Sequence, residues 1–224
     1  PYTWEAGPSC LILASQAGAF IRFTFGDLDT ILFQAHGVAL RLLPCKVFPV
    51  EFTPSPDQVV LMDWAARGFH YFRSDGTGQV FASISPTVTG LENAFREYPR
   101  TIDFTGTGGA IRFVEFEHHW EEPLPDFDRA LSANEKEFAL WHSSMPPVPE
   151  TYQAAAEQAW FILWNCLVPP GGALTRPAIY MSKAWMNGIW AWDNCFNALI
   201  VAKADPALAW DQLRLFFDHQ ESHG

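Results

Sequence analysis

Cationic side chains are scarce in this sequence. Its 224 residues contain 14 lysines and arginines against 25 aspartates and glutamates, so the net charge at neutral pH is −11. Nucleic-acid binding needs clustered cations that neutralise phosphates, and the sequence has no lysine- or arginine-rich stripe. We therefore expect neither a nucleic-acid partner nor binding to an anionic membrane surface.

Paired cysteines and long apolar runs are lacking as well. No CxxC pair occurs among Cys10, Cys45, Cys166 and Cys195, which argues against a disulfide framework or a zinc site and favours mostly buried thiols. No apolar run approaches the roughly 18 residues of a membrane-spanning helix. Neither a charged signal-peptide start nor an initiator methionine occurs in Pro1–Glu5, so we expect a start that has been cut or processed.

Aromatic residues, by contrast, are abundant. The chain has 10 tryptophans, 19 phenylalanines and 5 tyrosines. Seven of the ten tryptophans lie between Trp141 and Trp210, so they concentrate in one part of the chain. Tryptophan fills protein cores, and it also stacks on the apolar faces of sugar rings, so both roles are open for this cluster.

The first half of the sequence has the pattern of β-strands. Short runs of β-branched and aromatic residues are interrupted by glycine, proline and aspartate across residues 10–120. Apolar and polar residues alternate with a period of two in residues 19–25 and 110–117. Each of these two strands is expected to have one buried face and one wet face.

Glycine-rich turns separate the predicted strands. Residues 74–78 have the composition of a turn, and residues 106–109 that of a hairpin turn rather than a phosphate-binding loop. Many short strands with such turns predict an antiparallel β-sandwich over residues 1–122. We expect its inner layers to include Phe20, Phe23 or Phe25, Phe113 and Phe116.

Helical periodicity replaces this pattern after residue 122. In a helical connector over residues 123–149, Asp126 is placed to cap a helix that Met145–Pro149 interrupts. A strongly apolar helix is predicted over residues 150–168 and is expected to be buried on most sides. Shorter helices are predicted over residues 194–204 and 206–220, the second of them capped by Asp205. The fold class is therefore α+β, with the strands first.

The densest group of chemically useful residues lies in the loop before the 194–204 helix. It combines three tryptophans with a single carboxylate, Asp193, and a few polar side chains. An apolar aromatic pocket with a small number of polar groups is typical of a sugar-binding subsite. The candidate substrate-binding residues are Tyr180, Lys183, Trp185, Asn187, Trp190 and Trp192.

Asp193 has two competing interpretations. Its position suits a helix N-cap, which would stabilise the ionised carboxylate. Alternatively, desolvation by Trp190 and Trp192 would favour the protonated acid, and a protonated carboxyl beside a glycosidic oxygen is what general-acid cleavage requires.

Four segments carry a family resemblance. Met181–Lys183, Trp190–Asp193, Phe196–Leu199 and Asp211–Gly224 resemble the opening of the catalytic domain of glycoside hydrolase family 63 and its relatives. These α-glucosidase-like enzymes resemble trehalases and glucoamylases in fold, with a β-sandwich before an (α/α)6 toroid. The resemblance implies that residues 150–224 form the first part of such a toroid.

The resemblance also implies a mechanism. The enzyme would hydrolyse an α-linked glucoside or oligosaccharide with inversion, with Asp193 as general acid, the general base in the chain beyond Gly224, and no cofactor. We therefore expect the 224-residue chain by itself to be inactive. Two alternatives remain, namely a non-catalytic carbohydrate-binding module and a glycoside phosphorylase.

The histidines do not predict a metal site. His118 and His119 are adjacent on a predicted strand and would point to opposite faces. His219 and His223 have helical spacing but no evident third ligand. Asp218 and Glu221, near the end of the last predicted helix, are expected to be solvated or to line the rim of the pocket.

Overall fold

The computed structural model of the chain describes residues 2–43, 49–63, 68–84, 100–115, 120–182, 186–218 and 220. The chain divides into two compact units, an N-terminal unit up to Glu135 and a C-terminal unit from Lys136.

The strands of the N-terminal unit occupy most of its described length. They are β1 (Tyr2–Ala6), β2 (Leu11–Ser15), β3 (Phe20–Phe25), β4 (Thr30–His36), β5 (Leu40–Leu42), β6 (Pro49–Ser55), β7 (Gln58–Asp63), β8 (Gly68–Ser74), β9 (Val80–Ile84), β10 (Arg100–Phe104) and β11 (Gly108–Glu115). Eight of them form one sheet in the order β1-β2-β3-β4-β11-β8-β7-β6, and β5-β10-β9 form a second. All these pairings are antiparallel, as the sequence predicts.

Both sheets contribute to one apolar core. Phe33 of the large sheet meets Phe104 of the small sheet edge to face, with ring centroids 4.7 Å apart. The other buried members include Ile21, Ala35, Leu40, Val59, Leu61, Phe72, Val80 and Ile102. This arrangement is consistent with the predicted sandwich.

The large sheet is also covered on its other face. There Leu32, Tyr71 and Ala110 pack under Trp120 and Phe127. Strands β4 and β11 therefore have two covered faces, and the expectation of a wet face on the 110–117 strand is wrong. A period-two pattern shows which residues share a face, but it does not show whether a distant segment covers the second face.

The predicted phenylalanine layer is partly correct. Phe23 packs against the core between the sheets, as predicted. Phe20 has the opposite parity on β3 and lies on the other face of the sheet, while Phe25 is 54% exposed. Phe113 is half-buried, and Phe116 lies outside the described residues.

The glycine-rich turns serve two different purposes. Gly76 has a φ of +92°, as expected for the turn at residues 74–78. Residues 106–109 do not form a hairpin turn, because they lead from β10 in the small sheet to β11 in the large one. A Cβ on Gly78 would lie 2.3 Å from the backbone nitrogen of Gly106, so this crossing requires glycine for close backbone approach.

In the described part of the chain, four α-helices follow the sheets. They are α1 (Phe127–Ser143), α2 (Gln153–Cys166), α3 (Ala191–Val201) and α4 (Pro206–Asp218), with a 3₁₀ turn at Glu150–Tyr152 and two short paired strands, β12 (Leu167–Val168) and β13 (Ala178–Ile179). The boundary between the two units falls within α1. Helix α3 begins three residues before the predicted start and ends three residues before the predicted end.

The two predicted helix caps are confirmed. An Asp126 carboxylate oxygen accepts a hydrogen bond from the Arg129 N–H at 2.8 Å, and an Asp205 oxygen accepts one from the Leu208 N–H at 2.9 Å. Each bond satisfies an N–H at a helix start that has no partner within the helix.

The C-terminal unit has its own core. Trp160 of α2 stacks on Trp141 of α1 with ring centroids 4.6 Å apart, and each indole N–H donates to the backbone carbonyl of the other residue. Trp160 and Cys166 are the buried residues of α2, while Ile162 is exposed. The expectation that α2 is buried on most sides is wrong, because the described helices cover only one side of it.

The burial of the cysteines varies more than expected. Cys166 is buried, Cys10 is half-buried and Cys195 is exposed. Cys45 lies outside the described residues.

Candidate functional site

Asp193 lies in the first turn of α3. The N-cap of this helix is Trp190, whose backbone is extended and whose side chain makes no capping hydrogen bond. Asp193 is therefore the third helical residue, and its interpretation as an N-cap is wrong. The side chain is half-buried, so it remains accessible.

Two tryptophans precede Asp193 in the chain, and both are exposed to solvent. Trp190 is 50% exposed and Trp192 is 74% exposed. The Trp192 ring meets Phe196, one turn further along α3, edge to face at 5.3 Å. An edge-on neighbour leaves much of the indole face open, which is the surface that stacks on an apolar ligand face.

A buried network of side-chain amides fixes the position of α3. Asn194 and Gln212 are fully buried. The Asn194 amide donates to the Gln212 side-chain oxygen at 3.0 Å, and the Ile179 N–H donates to the same oxygen at 2.8 Å. Helices α3 and α4 are thereby joined to β13, and the sequence analysis missed this network.

The flank of α3 that carries Asp193 faces the end of β13. Asp193 and Asn197 are four residues apart and lie one above the other on the helix. The Asn197 amide donates to the Ile179 carbonyl at 3.1 Å, so this flank lies against β13. Tyr180 follows β13 directly, is half-buried, and donates its N–H to the Cys166 carbonyl at 2.9 Å. The structure therefore places Tyr180 at the end of the strand that this flank contacts.

Three further candidate residues precede α3 in the sequence. Asn187 is exposed. Lys183 and Trp185 lie outside the described residues. Three cavities in the described part of the chain, with volumes of about 480, 300 and 480 Å³, have no candidate residue in their linings.

A second polar cluster lies between the loop and α4. The Arg176 guanidinium donates to Asp218 at 2.7 Å and to Asp211 at 3.3 Å. The hydrogen bonds to Asp218 are the largest of the interactions that raise the pKa of the Arg176 guanidinium. Asp218 is an exposed residue, as expected, although the ion pair leaves its side chain only 19% exposed. Residues 42 positions apart give no local pattern that would predict this pair. Glu221 lies outside the described residues.

The described residues show no metal centre. No three of their histidine, cysteine, aspartate and glutamate side chains are grouped so that they could hold a metal ion. The predicted histidine pairs, His118 with His119 and His219 with His223, lie outside the described part. Among the helices that are described, none has the length and apolar character needed to cross a membrane.

No known family model matches the chain, and no curated protein is significantly similar to it.

Large apolar side chains on α3 and α4 predict self-association. Trp192, Leu199, Trp210 and Phe217 are all more than half exposed. Exposed apolar side chains of this size and number favour association in water. We therefore expect the 224-residue chain, expressed alone, to show a mass above that of a monomer in light scattering.

Replacing Leu199 and Phe217 with lysine is expected to lower that mass. The matched control places lysine at Ala207, which is exposed on α4 but contributes little apolar area. A monodisperse monomer for the unsubstituted chain would contradict this prediction.

Proposed function

We propose that this chain is part of an inverting glycoside hydrolase that acts on α-linked glucosides or oligosaccharides, with Asp193 as the general acid. One observation carries the proposal, namely that the half-buried Asp193 lies in the first turn of α3, directly after the exposed Trp190 and Trp192. This arrangement joins a proton donor to a surface on which a sugar ring stacks. The family resemblance of the same segment supports it.

In the proposed reaction, the Asp193 carboxyl donates its proton to the glycosidic oxygen as the bond from that oxygen to the anomeric carbon breaks. A water molecule attacks the anomeric carbon from the opposite face and loses its proton to a second carboxylate, the general base. Inverting enzymes hold the two carboxyl groups about 6.5–9.5 Å apart, which leaves room for that water. No metal or cofactor takes part.

The proposed base lies C-terminal to Gly224, as the resemblance implies. In this proposal α2, α3 and α4 are the first helices of an (α/α)6 toroid, and its other helices cover the exposed apolar side chains of α3 and α4. Of Trp185, Trp190 and Trp192, at least one packs against the helices and the others stack on the substrate. Tyr180, Lys183 and Asn187 bind its hydroxyl groups.

The test uses the protein that carries this chain together with the segment C-terminal to Gly224. The protein is incubated with α-linked glucose disaccharides and oligosaccharides, and the anomer of the first glucose released is followed by proton NMR. Inversion at an α-linkage gives β-glucose first. Release of α-glucose first, or no hydrolysis at all, would contradict the proposal.

The two alternatives give different outcomes in the same assay. A glycoside phosphorylase releases a sugar phosphate, and only when inorganic phosphate is added. A non-catalytic binding module binds the oligosaccharide without releasing glucose, and its affinity survives the Asp193→Asn substitution.

A further inference from the structure

The first turn of α3 lacks the usual side-chain cap. Its N-cap, Trp190, offers no side-chain acceptor to the free N–H groups at the helix start. Instead, the Asn194 side-chain oxygen accepts the Trp190 N–H at 3.3 Å, which joins the N-cap backbone to a side chain one turn further along. The order of the turn that carries Asp193 therefore depends on Asn194.

Asn194 in turn depends on Gln212. The Gln212 oxygen accepts hydrogen bonds from the Asn194 amide and from the Ile179 N–H, while its amide donates to the carbonyls of Pro177 and Leu208, both at 3.1 Å. Gln212 thus uses both donors and accepts two hydrogen bonds in a site closed to solvent. A buried network satisfied to this degree has one favoured arrangement, because each lost bond leaves an unpaired polar group.

We infer that Gln212 and Asn194 are positioning residues, which hold the turn carrying Asp193 in one orientation against the end of β13. The catalytic part of this inference rests on the proposed function. Neither residue needs to touch substrate. The network fixes α3 relative to Ile179, and so fixes Asp193 relative to Tyr180 and the loop that follows it.

The competing hypothesis is that the network only stabilises the C-terminal unit. A stabilising role predicts that any substitution of equal cost in this unit has the same effect on catalysis. A positioning role predicts a fall in kcat with KM nearly unchanged, because a misplaced proton donor affects the transition state more than substrate binding.

The experiment compares two substitutions in the protein that includes the segment C-terminal to Gly224. Gln212→Met keeps the length of the side chain and removes its four hydrogen bonds. Trp160→Phe is the matched control, because it removes a buried hydrogen bond of the same apolar cluster, from Trp160 to the Trp141 carbonyl, that is not one of the network's hydrogen bonds. If Gln212→Met does not fold, Asn197→Ala replaces it, since that change removes only the bond to Ile179.

Two quantities are measured for each variant. For Gln212→Met we expect kcat on α-glucosides to fall about 100-fold, the effect of a displacement near 1 Å, with KM within about threefold of the original value. For Asn197→Ala the expected fall is about tenfold. Amide hydrogen exchange at Ile179 and Asn194 should become at least about tenfold faster in Gln212→Met, whereas Trp160→Phe should leave kcat within about twofold.

Each combination of exchange and kinetic results either supports or overturns the positioning role of Gln212 and Asn194. Faster exchange together with a fall in kcat at constant KM supports the inference. Unchanged exchange at Asn194 overturns it whatever the activity, and so does faster exchange with an unchanged kcat. Failure of the proposed function is seen separately, as inactivity of the protein before any substitution.

Discussion

Replacing Asp193 with asparagine is expected to lower kcat/KM for α-linked glucosides by about 10²–10⁴-fold, the usual contribution of a general acid. Asparagine has nearly the same shape as aspartate but has no proton to give to the glycosidic oxygen. The side chain is half-buried in the first turn of α3, and an isosteric replacement there keeps the local packing. The measurement is steady-state hydrolysis by the protein that includes the segment C-terminal to Gly224.

Asp205→Asn is the matched control. Asp205 caps α4 through its bond to the Leu208 N–H, and asparagine is an equally good cap. The control therefore makes the same chemical change in the same unit, at a helix start that the mechanism does not use, and activity should stay within about twofold. Equal losses in the two variants would show that the effect of Asp193→Asn is not specific to the general acid.

Replacing Trp160 with alanine is expected to lower the free energy of unfolding of the C-terminal unit by about 3–5 kcal/mol. Trp160 is only 3% exposed, so the substitution opens a large cavity in the core. It also removes the stacked ring beneath Trp141 and the hydrogen bond that the Trp160 indole N–H donates. Denaturant unfolding, followed by hydrogen exchange of α2 amides, measures the change.

Trp210→Ala provides the comparison for this loss. Trp210 is 59% exposed on α4, and its ring contacts the Arg214 guanidinium at 5.8 Å. Surface substitutions of this kind usually change stability by less than about 0.5 kcal/mol. If both alanine variants lost the same stability, Trp160 would not be the centre of the core that we describe.

Local patterns in the sequence predict much of the fold. The alternation in residues 19–25 and 110–117 predicts β3 and β11, because neighbouring residues of a strand point to opposite faces. Asp126 and Asp205 predict the starts of α1 and α4, since each cap acts on an N–H group only three residues away.

Contacts between distant residues could not be predicted in this way. The second covered face of the large sheet depends on Trp120 and Phe127, which follow the strands that they cover. The Asn194–Gln212 hydrogen bond joins residues 18 positions apart. An amide side chain in a helix gives no local sign of whether it faces water or a buried backbone group.

For the candidate site, the sequence analysis predicted a helix start close to Asp193 but placed it three residues too late. A cap at Asp193 was expected because aspartate is a common N-cap residue. The helix begins at Ala191 instead, because Asn194 binds the N-cap backbone from inside the helix. This difference changes the role of Asp193, whose carboxylate is not used to cap the helix.

The most direct test of the central claim compares two leaving groups in the Asp193→Asn variant. A dinitrophenolate leaves as a stable anion and needs no proton, whereas a sugar alkoxide needs one as the bond breaks. If Asp193 is the general acid, the variant loses about 10²–10⁴-fold in kcat/KM on an α-linked glucose disaccharide and less than about tenfold on dinitrophenyl α-glucoside. Equal losses on the two substrates, or no loss on the disaccharide, would contradict the account.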